Sequence, residues 1–326
     1  MGFLTDIGSA IMTPLYYVVS GLLLTWHELF STFMDPDQGW TWVLSIVGLT
    51  VTIRVLLIPL FVRQIKSSRN MQLLQPQIKA LQQKYKHDRQ KLQQEQMKLF
   101  QETGTNPLAS CLPLILQLPV FFALFRVIDH SSKYDGTGSF KKGFITEEHA
   151  RSLSQADLAG IGARIADTFT SADHTATRVV AIFLVVAMCA TQFITQRQLM
   201  AKNMPADAMS GPYAQQQKML LYILPPVFAI SGVIFPLGVL FYWVTTNLWT
   251  MGQQFYVIRN NPAPGTPAFK AKQERDERKG KTAAIDPVEA AKEQALEEQR
   301  QATRNQPKKQ ARAQRKPNQP KKGGSK

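Results

Sequence analysis

The stretch 40-WTWVLSIVGLTVTIRVLLIPLFV-62 decides the fold class, because its apolar run is long enough to cross a lipid bilayer. A transmembrane helix needs about 20 predominantly apolar residues. The one charged residue of the stretch, Arg54, lies well inside the run. A guanidinium group is costly at that depth unless water or a partner compensates it. The stretch therefore predicts a membrane-spanning helix that carries a functional cation.

The chain divides into two parts of unlike composition. It has 326 residues and a formal net charge of +15, and its long apolar runs lie between residues 40 and 258. Residues 259–326 have few large apolar side chains and contain eighteen Lys or Arg against eight Asp or Glu. Low hydrophobicity combined with high charge is typical of disorder. We predict a membrane domain at 40–258 and a disordered basic tail at 259–326.

Five segments of the membrane domain have the length and composition of transmembrane helices. The fourth and fifth segments are separated only by a tight turn at Pro236. The sequence therefore predicts an all-α membrane protein, with spans at about residues 40–62, 108–128, 179–196, 219–235 and 237–258.

The distribution of cations between the spans predicts the orientation of the chain. Residues 63–107, 197–218 and 259–326 contain nine, three and eighteen Lys or Arg. Residues 1–39 contain none, and residues 129–177 contain five. Cytoplasmic loops are enriched in Lys and Arg. We therefore predict that the N-terminus and the 129–177 loop lie outside, and that the C-terminal tail lies in the cytoplasm.

Residues 1–39 include a weaker apolar segment, 11-IMTPLYYVVSGLLLTW-26. This segment is short for a span, and no cation flanks it on either side. If it crossed the membrane, the first ten residues would be cytoplasmic without a single cation, against the charge rule. We favour an interfacial amphipathic helix on the outer face and keep a spanning helix as the alternative.

Between the first two spans, residues 66–105 predict a cytoplasmic hairpin of two helices. Apolar side chains repeat there at spacings of four, three and four, at Leu74, Ile78, Leu81 and Tyr85. A solvated helical linker would show a similar pattern. Cations of the hairpin and tail are candidates for contact with ribosomal RNA, a nascent chain or lipid head groups: Lys79, Lys84, Lys86, Arg89, Lys308, Lys309, Arg312, Arg315 and Lys316.

Arg54 lies nine residues before Arg63, the first cytoplasmic cation, which is roughly 13 Å along a helix. The side chain does not easily reach the head groups from that depth. None of the five predicted spans contains Asp or Glu, so no internal ion pair is available. Either a water-filled cavity surrounds Arg54, or it caps backbone carbonyls freed by Pro59. The polar residues expected to line such a cavity are Thr50, Gln117, Gln192 and Asn247.

The sequence lacks several motifs that indicate enzymes. It contains no GxxxxGK[ST], HExxH or GxSxG pattern. Its two cysteines lie in apolar segments and are too few for a typical structural zinc site. We expect a protein that is not an enzyme and that requires no cofactor and no metal ion.

Four stretches of the membrane domain carry a more specific signal. They are 53-IRVLLIPLFVRQIKSSRNMQLLQPQIKALQQKY-85, 106-NPLASCLPLILQLPVFFALFRVI-128, the weaker 191-TQFITQRQL-199, and 235-FPLGVLFYWVTTNLWTMGQQFYV-257. In this order and spacing they resemble the YidC family of membrane protein insertases. The resemblance is to the Gram-positive type, which lacks a large periplasmic domain.

The resemblance implies a five-helix core around a hydrophilic groove, open to the cytoplasm and lipid and closed outside, with Arg54 in the groove. It also implies a bacterial plasma membrane protein that inserts membrane proteins and helps them fold and assemble, alone or with the Sec translocon. Its partners would be nascent membrane proteins, the ribosome, the Sec translocon and the bilayer. The residues alone also allow an anion channel or carrier with Arg54 as selectivity residue, or a passive assembly scaffold.

Overall fold

The computed structural model describes residues 2–104, 112–134, 142–204 and 212–282, together with scattered positions between 285 and 300. The chain forms two compact units, Met1–Ala283 and Ala284–Lys326. In the second unit the described positions include helical ones, where the Ala290 N–H donates to the Asp286 carbonyl at 3.0 Å. All the helices named in the next paragraph belong to the first unit.

All regular elements among the described residues are helices, apart from two isolated bridges, Lys142–Ile145 and Asp157–Arg164. This agrees with the predicted all-α class. In chain order the helices are α1 (Gly2–Ser31), α2 (Gly39–Leu56), α3 (Ile58–Leu73), α4 (Gln75–Lys84), α5 (Arg89–Glu102), α6 (Leu112–Ser132), α7 (Glu147–Gln155), α8 (Thr175–Asn203), α9 (Pro212–Ile234), α10 (Leu237–Asn260) and α11 (Pro267–Glu277).

The first predicted span is broken near its cytoplasmic end. α2 ends at Leu56 and α3 begins at Ile58, so the predicted span 40–62 comprises α2 and the first turns of α3. Pro59 has no backbone N–H and therefore cannot donate to the carbonyl of Val55. A missing bond of this kind bends or interrupts a helix, which explains the position of the break.

The packed centre of the unit consists of α2, α6, α8 and α10, with α10 lying against both α2 and α8. Large apolar side chains from all four helices are almost completely buried there: Trp42, Ile46, Leu49, Leu124, Met188 and Leu240. Lipid tails are as apolar as these side chains, so in a membrane the helices gain from close van der Waals packing and not from transfer out of water. The cluster is therefore the contact region that holds the four helices together.

The loop between α6 and α8 closes one end of the bundle through backbone hydrogen bonds. The N–H of Gly39 donates to the Asp157 carbonyl at 2.8 Å, and the N–H of Gly238 donates to the Ile165 carbonyl at 2.8 Å. The first N–H groups of a helix have no partner within the helix, so loop carbonyls satisfy them here. α2 and α10 therefore begin at the same end, as the predicted order of spans requires.

The N-terminal helix α1 packs against α2 and α6. Its Trp26 donates an indole N–H to the Thr52 hydroxyl at 3.0 Å. The His27 ring stacks on Trp42 with ring centroids 3.9 Å apart. The C-terminal half of α1 is therefore held firmly against the first predicted span.

The middle of α1 is held by the same loop that closes the bundle. The Phe144 N–H donates to the Ser20 hydroxyl at 2.9 Å, and the Lys142 ammonium lies 4.3 Å from the centroid of the Tyr16 ring. Burial, and then the nearby Arg126, lower the pKa of Lys142. Because this loop is predicted to lie outside, the contacts favour an outer-face position for α1.

Two described helices are long and apolar enough to cross a membrane, Gly39–Leu56 and Thr175–Asn203, and a shorter apolar stretch covers Leu221–Ile234. α8 and α9 also expose large apolar side chains, such as Phe183 at 70% and Ile230 at 63%. An apolar surface of this kind marks contact with lipid or protein. The remaining assignments within the five-span order stay predictions.

The polar segment after α3 forms a helical pair. α4 and α5 contact each other across a short turn, and Asp88 caps α5 by accepting the Lys91 N–H at 2.9 Å. α3 itself runs from the membrane segment to Leu73 without interruption. The predicted hairpin region 66–105 therefore contains the end of α3 as well as the α4–α5 pair.

Residues 261–277 differ from the predicted disordered tail, because they fold back onto the bundle. The Asn203 side chain at the end of α8 accepts the Ala263 N–H at 2.8 Å. α11 then begins with Thr266 as N-cap, accepting the Phe269 N–H at 3.3 Å, and with Pro267 in its first turn. Capping and tertiary contact make this segment helical despite its polar composition.

A matched pair of glycine substitutions tests the α1–α2 packing. A Cβ atom at Gly48 would lie 2.5 Å from Trp26 Cδ2, whereas a Cβ at Gly252 would meet nothing within 4 Å. We expect Gly48→Ala to lower the free energy of unfolding by about 1–3 kcal/mol through overpacking. Gly252→Ala should raise it by up to about 1 kcal/mol through helix propensity. Denaturation of the detergent-solubilised protein measures both, and equal effects would contradict the packing described.

Candidate functional site

Arg54 lies in the last turn of α2, and only 6% of it is exposed. Its Nε is buried and has no hydrogen-bond partner among the described residues. Its guanidinium carbon Cζ lies over the ring of Phe61, 5.5 Å from the centroid. Within the described part of the chain no hydrogen bond joins Arg54 to a backbone carbonyl, so the carbonyl-capping explanation lacks support. Buried charges are normally paired, which makes this cation unusual.

A small polar cluster joins α6 and α10 beside Arg54. The Gln117 amide donates to the Tyr242 hydroxyl, and Tyr242 is close enough to Arg54 for an electrostatic interaction. Tyr242 is 1% exposed. The Gln117 Oε1 atom is buried and has no partner among the described residues. Two unsatisfied polar atoms in one cluster, here Arg54 Nε and Gln117 Oε1, favour a site for water or a polar ligand.

The other predicted cavity residues have different surroundings. Thr50 is 1% exposed and donates its hydroxyl to the Ile46 carbonyl of its own helix at 2.6 Å. Asn247 donates to the Met188 carbonyl of α8 at 3.4 Å, and Gln192 lies one turn beyond Met188. The structure thus links Gln117 to Tyr242, which interacts electrostatically with Arg54, whereas Asn247 belongs to the α8–α10 contact and Gln192 lies on α8. That all four line one cavity stays a prediction.

An open cleft of about 610 Å³ lies between α3 and α10. Its lining is mainly apolar and includes Phe61, Val62, Trp249 and Tyr256. Gln253 adds a polar group, which accepts the Trp249 indole N–H at 3.2 Å. Phe61 belongs to both features, since it lines this cleft and contacts Arg54.

Tyr242 and Phe61 were not among the predicted site residues. Both lie in stretches that look apolar, whereas the predicted residues are charged, amide or threonine side chains. A signal for Tyr242 was present, because a buried phenol usually needs a hydrogen-bond partner. For Phe61 the available signal was its position seven residues after Arg54, which is about two helical turns and therefore the same helix face.

The predicted contact cations lie on the α4–α5 pair and in the tail. Lys84, Lys86 and Arg89 are exposed, and Lys79 is half-buried. The Lys84 ammonium lies 5.3 Å from the Tyr85 ring centroid. The remaining candidates lie outside the described residues: Lys308, Lys309, Arg312, Arg315 and Lys316. Among the described residues, no group of three or more His, Cys, Asp or Glu is arranged to hold a metal ion.

Comparison with known proteins identifies the family. The family model described as 60Kd inner membrane protein matches residues 33–264. A protein of Streptomyces avermitilis named Membrane protein insertase YidC is 45% identical over 79% of this chain and 60% of its own length. Proteins with the same name from Bifidobacterium longum and Tropheryma whipplei strain Twist are 32% and 34% identical, over 82% and 83% of this chain and 81% and 91% of their own lengths.

A solved structure is also similar to the chain. Its title is "Active YidC insertase crystal structure with the first transmembrane domain resolved", and it aligns with 29% identity and a TM-score of 0.44. The alignment covers 73% of this chain and 46% of that chain. The chain spans about 60% of the length of the Streptomyces avermitilis relative. From the family match and these relatives, the chain belongs to the 60Kd inner membrane protein family, the family of the YidC insertases.

Proposed function

We propose that this chain is a membrane protein insertase and chaperone of the bacterial plasma membrane, which inserts integral membrane proteins and helps them fold and assemble. The observation that carries the proposal is the buried Arg54, which has no carboxylate partner among the described residues. The name shared by the relatives, Membrane protein insertase YidC, supports the same function.

In this proposal the missing partner of Arg54 arrives with each client. A carboxylate at the bilayer centre costs about 2.5–3.5 kcal/mol on insertion scales. A hydrogen bond between charged groups offsets about 1.5–3 kcal/mol of that cost. Contact with Arg54 therefore removes much of the barrier for a short acidic segment that moves outward.

The polar cluster supports local hydration of the inner leaflet. Arg54 Nε and Gln117 Oε1 are buried without partners among the described residues, so water or a polar client segment would satisfy them. In the proposal, a groove that includes this cluster opens to the cytoplasm and to lipid. Water in such a groove shortens the distance over which a polar segment is unsolvated.

The client's apolar segment is proposed to leave into lipid along α6 and α9, the second and fourth predicted spans. These helices expose large apolar side chains, among them Phe122 at 47% on α6 and Val227 at 51% on α9. Transfer of apolar surface from water releases about 25 cal/mol per Å². This term drives release of the client, so the simplest clients need neither ATP nor an ion gradient.

The same proposal places the N-terminus and the 129–177 loop outside, the C-terminus in the cytoplasm, and α1 on the outer face. The asymmetry of Lys and Arg between the loops supports this orientation. The contacts of Tyr16 and Ser20 with the loop support the position of α1. The hairpin and basic tail would meet the ribosome and nascent chain, and the Sec translocon would act beside the protein for some clients.

An anion channel or carrier is the alternative, because an uncompensated buried cation would also attract a small anion. It differs from the insertase in two consequences. A channel would conduct anions through reconstituted liposomes, and it would not require the α4–α5 pair. Deletion of residues 70–103 should therefore abolish client insertion if the protein is an insertase and spare anion flux if it is a channel.

The charge at Arg54 can be tested in liposomes that contain the purified protein. A single-span client with an acidic outer tail is added, and its insertion is followed by protease protection. We expect Arg54→Ala to slow insertion about 30-fold, which corresponds to a lost interaction of about 2 kcal/mol. Arg54→Lys should keep part of the activity, because the cation remains while the bidentate geometry is lost.

The same client with a neutral outer tail is the control for that experiment. Its insertion should change little in Arg54→Ala. Full insertion of the acidic client by Arg54→Ala would refute the role of the charge. Anion flux without client insertion in the wild-type protein would instead favour the channel.

Truncation after Thr282 removes most of the basic tail and keeps α11 and its contact with α8, which end before residue 283. We expect truncation after Thr282 to weaken co-sedimentation with ribosomes and to reduce its dependence on salt, since cation contacts with RNA release counterions. A full-length control has Lys308, Lys309, Arg312, Arg315 and Lys316 replaced by Gln. Equal ribosome binding by all three proteins between low and high salt would remove the tail from the proposal.

A further inference from the structure

Phe61 occupies a particular position between two features of the site. One is the buried cation, because Arg54 Cζ lies over the Phe61 ring. The other is the cleft between α3 and α10, which Phe61 lines and Arg54 does not. Phe61 itself is 8% exposed. A group that approaches Arg54 from the cleft therefore meets Phe61 at the boundary.

The break after α2 explains how the two side chains meet. Arg54 and Phe61 are seven residues apart, so in one straight helix they would share a face but be separated by about 10 Å along the axis. The helix is interrupted at Leu57, ahead of Pro59, and the Phe61 N–H then bonds to the Leu57 carbonyl at 3.1 Å. α3 restarts from this junction and carries the Phe61 ring to the guanidinium.

The contact with Phe61 does not occupy the hydrogen-bond donors of the Arg54 guanidinium. An aromatic ring attracts a cation through its quadrupole and supplies no carboxylate or carbonyl oxygen. The Arg54 Nε accordingly has no acceptor among the described residues. The sequence from residue 55 to 87, and again from 237 to 273, contains no Asp or Glu that would compete. Arginine can hold a ring against its face while its edge donates to a carboxylate.

We propose that Phe61 is a positioning residue for acidic client segments, which holds the Arg54 guanidinium in place and keeps its donors free. This inference rests on the proposed insertase function and identifies which clients depend on the contact. A client with a carboxylate in its translocated segment uses the prepared cation. A client with a neutral segment passes without it and is insensitive to Phe61.

The test compares two clients that differ only in whether the translocated tail is acidic or neutral, in liposomes that contain the full-length protein. Phe61→Leu keeps an apolar side chain and removes the ring. We expect it to slow insertion of the acidic client about tenfold, which is less than the loss expected for Arg54→Ala because the cation itself remains. Insertion of the neutral client should stay within about twofold of wild type. Phe61→Trp should retain the preference for the acidic client, because the ring face is restored.

Two controls separate positioning from a general structural effect. Val62→Ala alters a neighbouring side chain of the same cleft and should leave the ratio of acidic to neutral insertion unchanged. In an Arg54→Gln background, Phe61→Leu should cause no further loss, because the interaction has already been removed. A Phe61→Leu loss that is equal for both clients, or that persists with Arg54→Gln, would overturn the proposal, as would a Phe61→Trp variant with no preference for the acidic client.

Failure of the underlying function would look different. One outcome is that the wild-type protein in liposomes inserts no more of either client than protein-free liposomes do. That result would overturn the insertase function together with the role of Phe61. Wild-type insertion that prefers the acidic client, combined with an unchanged preference in Phe61→Leu, would overturn the role of Phe61 alone.

Discussion

The constraint on which this structure depends is the cost of a charge in a medium of low polarity. Arg54 is buried in the last turn of a helix that is long and apolar enough to cross a membrane. An isolated charge in such a place must be hydrated, paired or neutralised. The described surroundings provide a ring face, a tyrosine hydroxyl and an unsatisfied amide oxygen nearby, and no carboxylate. Each of these groups can lie beside a cation. Together they still leave the Nε donor of Arg54 without an acceptor among the described residues.

The two ends of α2 differ in how tightly their surroundings are packed. At the end where α2 and α10 begin, loop carbonyls accept the N–H groups of Gly39 and Gly238. Satisfied backbone groups and a buried Trp42 make that end closed and well packed. At the other end, the helix is interrupted at Leu57 and a cleft beside α3 reaches Phe61, the residue that contacts Arg54. A polar group is therefore expected to reach the cation from the side of α3.

The sequence predicted those parts of the structure that depend on local pattern. The all-α class follows from the apolar runs, and the carbonyl freed by Pro59 follows from a missing backbone donor. Arg54 stood out because it is the one charged residue in its run. These features require no knowledge of which helices touch.

The parts that escaped prediction depend on contacts between distant segments. Tyr242 lies 125 residues from Gln117, and no spacing rule relates them. The helical start of the tail depends on Asn203, which bonds to a segment 60 residues further along the chain. The loop at 142–174 had no predicted role. Its carbonyls accept N–H groups at the starts of α2 and α10, and these helix ends lie near the loop only in the folded bundle. Thr50 was predicted to line the cavity because it is polar, but its hydroxyl donates to a carbonyl of its own helix.

The choice of a ring rather than a carboxylate beside Arg54 has an energetic reason if the cation must be used repeatedly. Breaking a buried ion pair costs about 3–5 kcal/mol, and each client would have to supply that energy before it gained anything. A cation–π contact contributes about 2 kcal/mol when desolvated and need not be broken when a carboxylate binds at the guanidinium edge. The ring therefore offsets part of the burial cost of Arg54 between clients without competing for its donors. A permanent acidic partner would stabilise the resting protein more strongly and would block the exchange on which the proposed function depends.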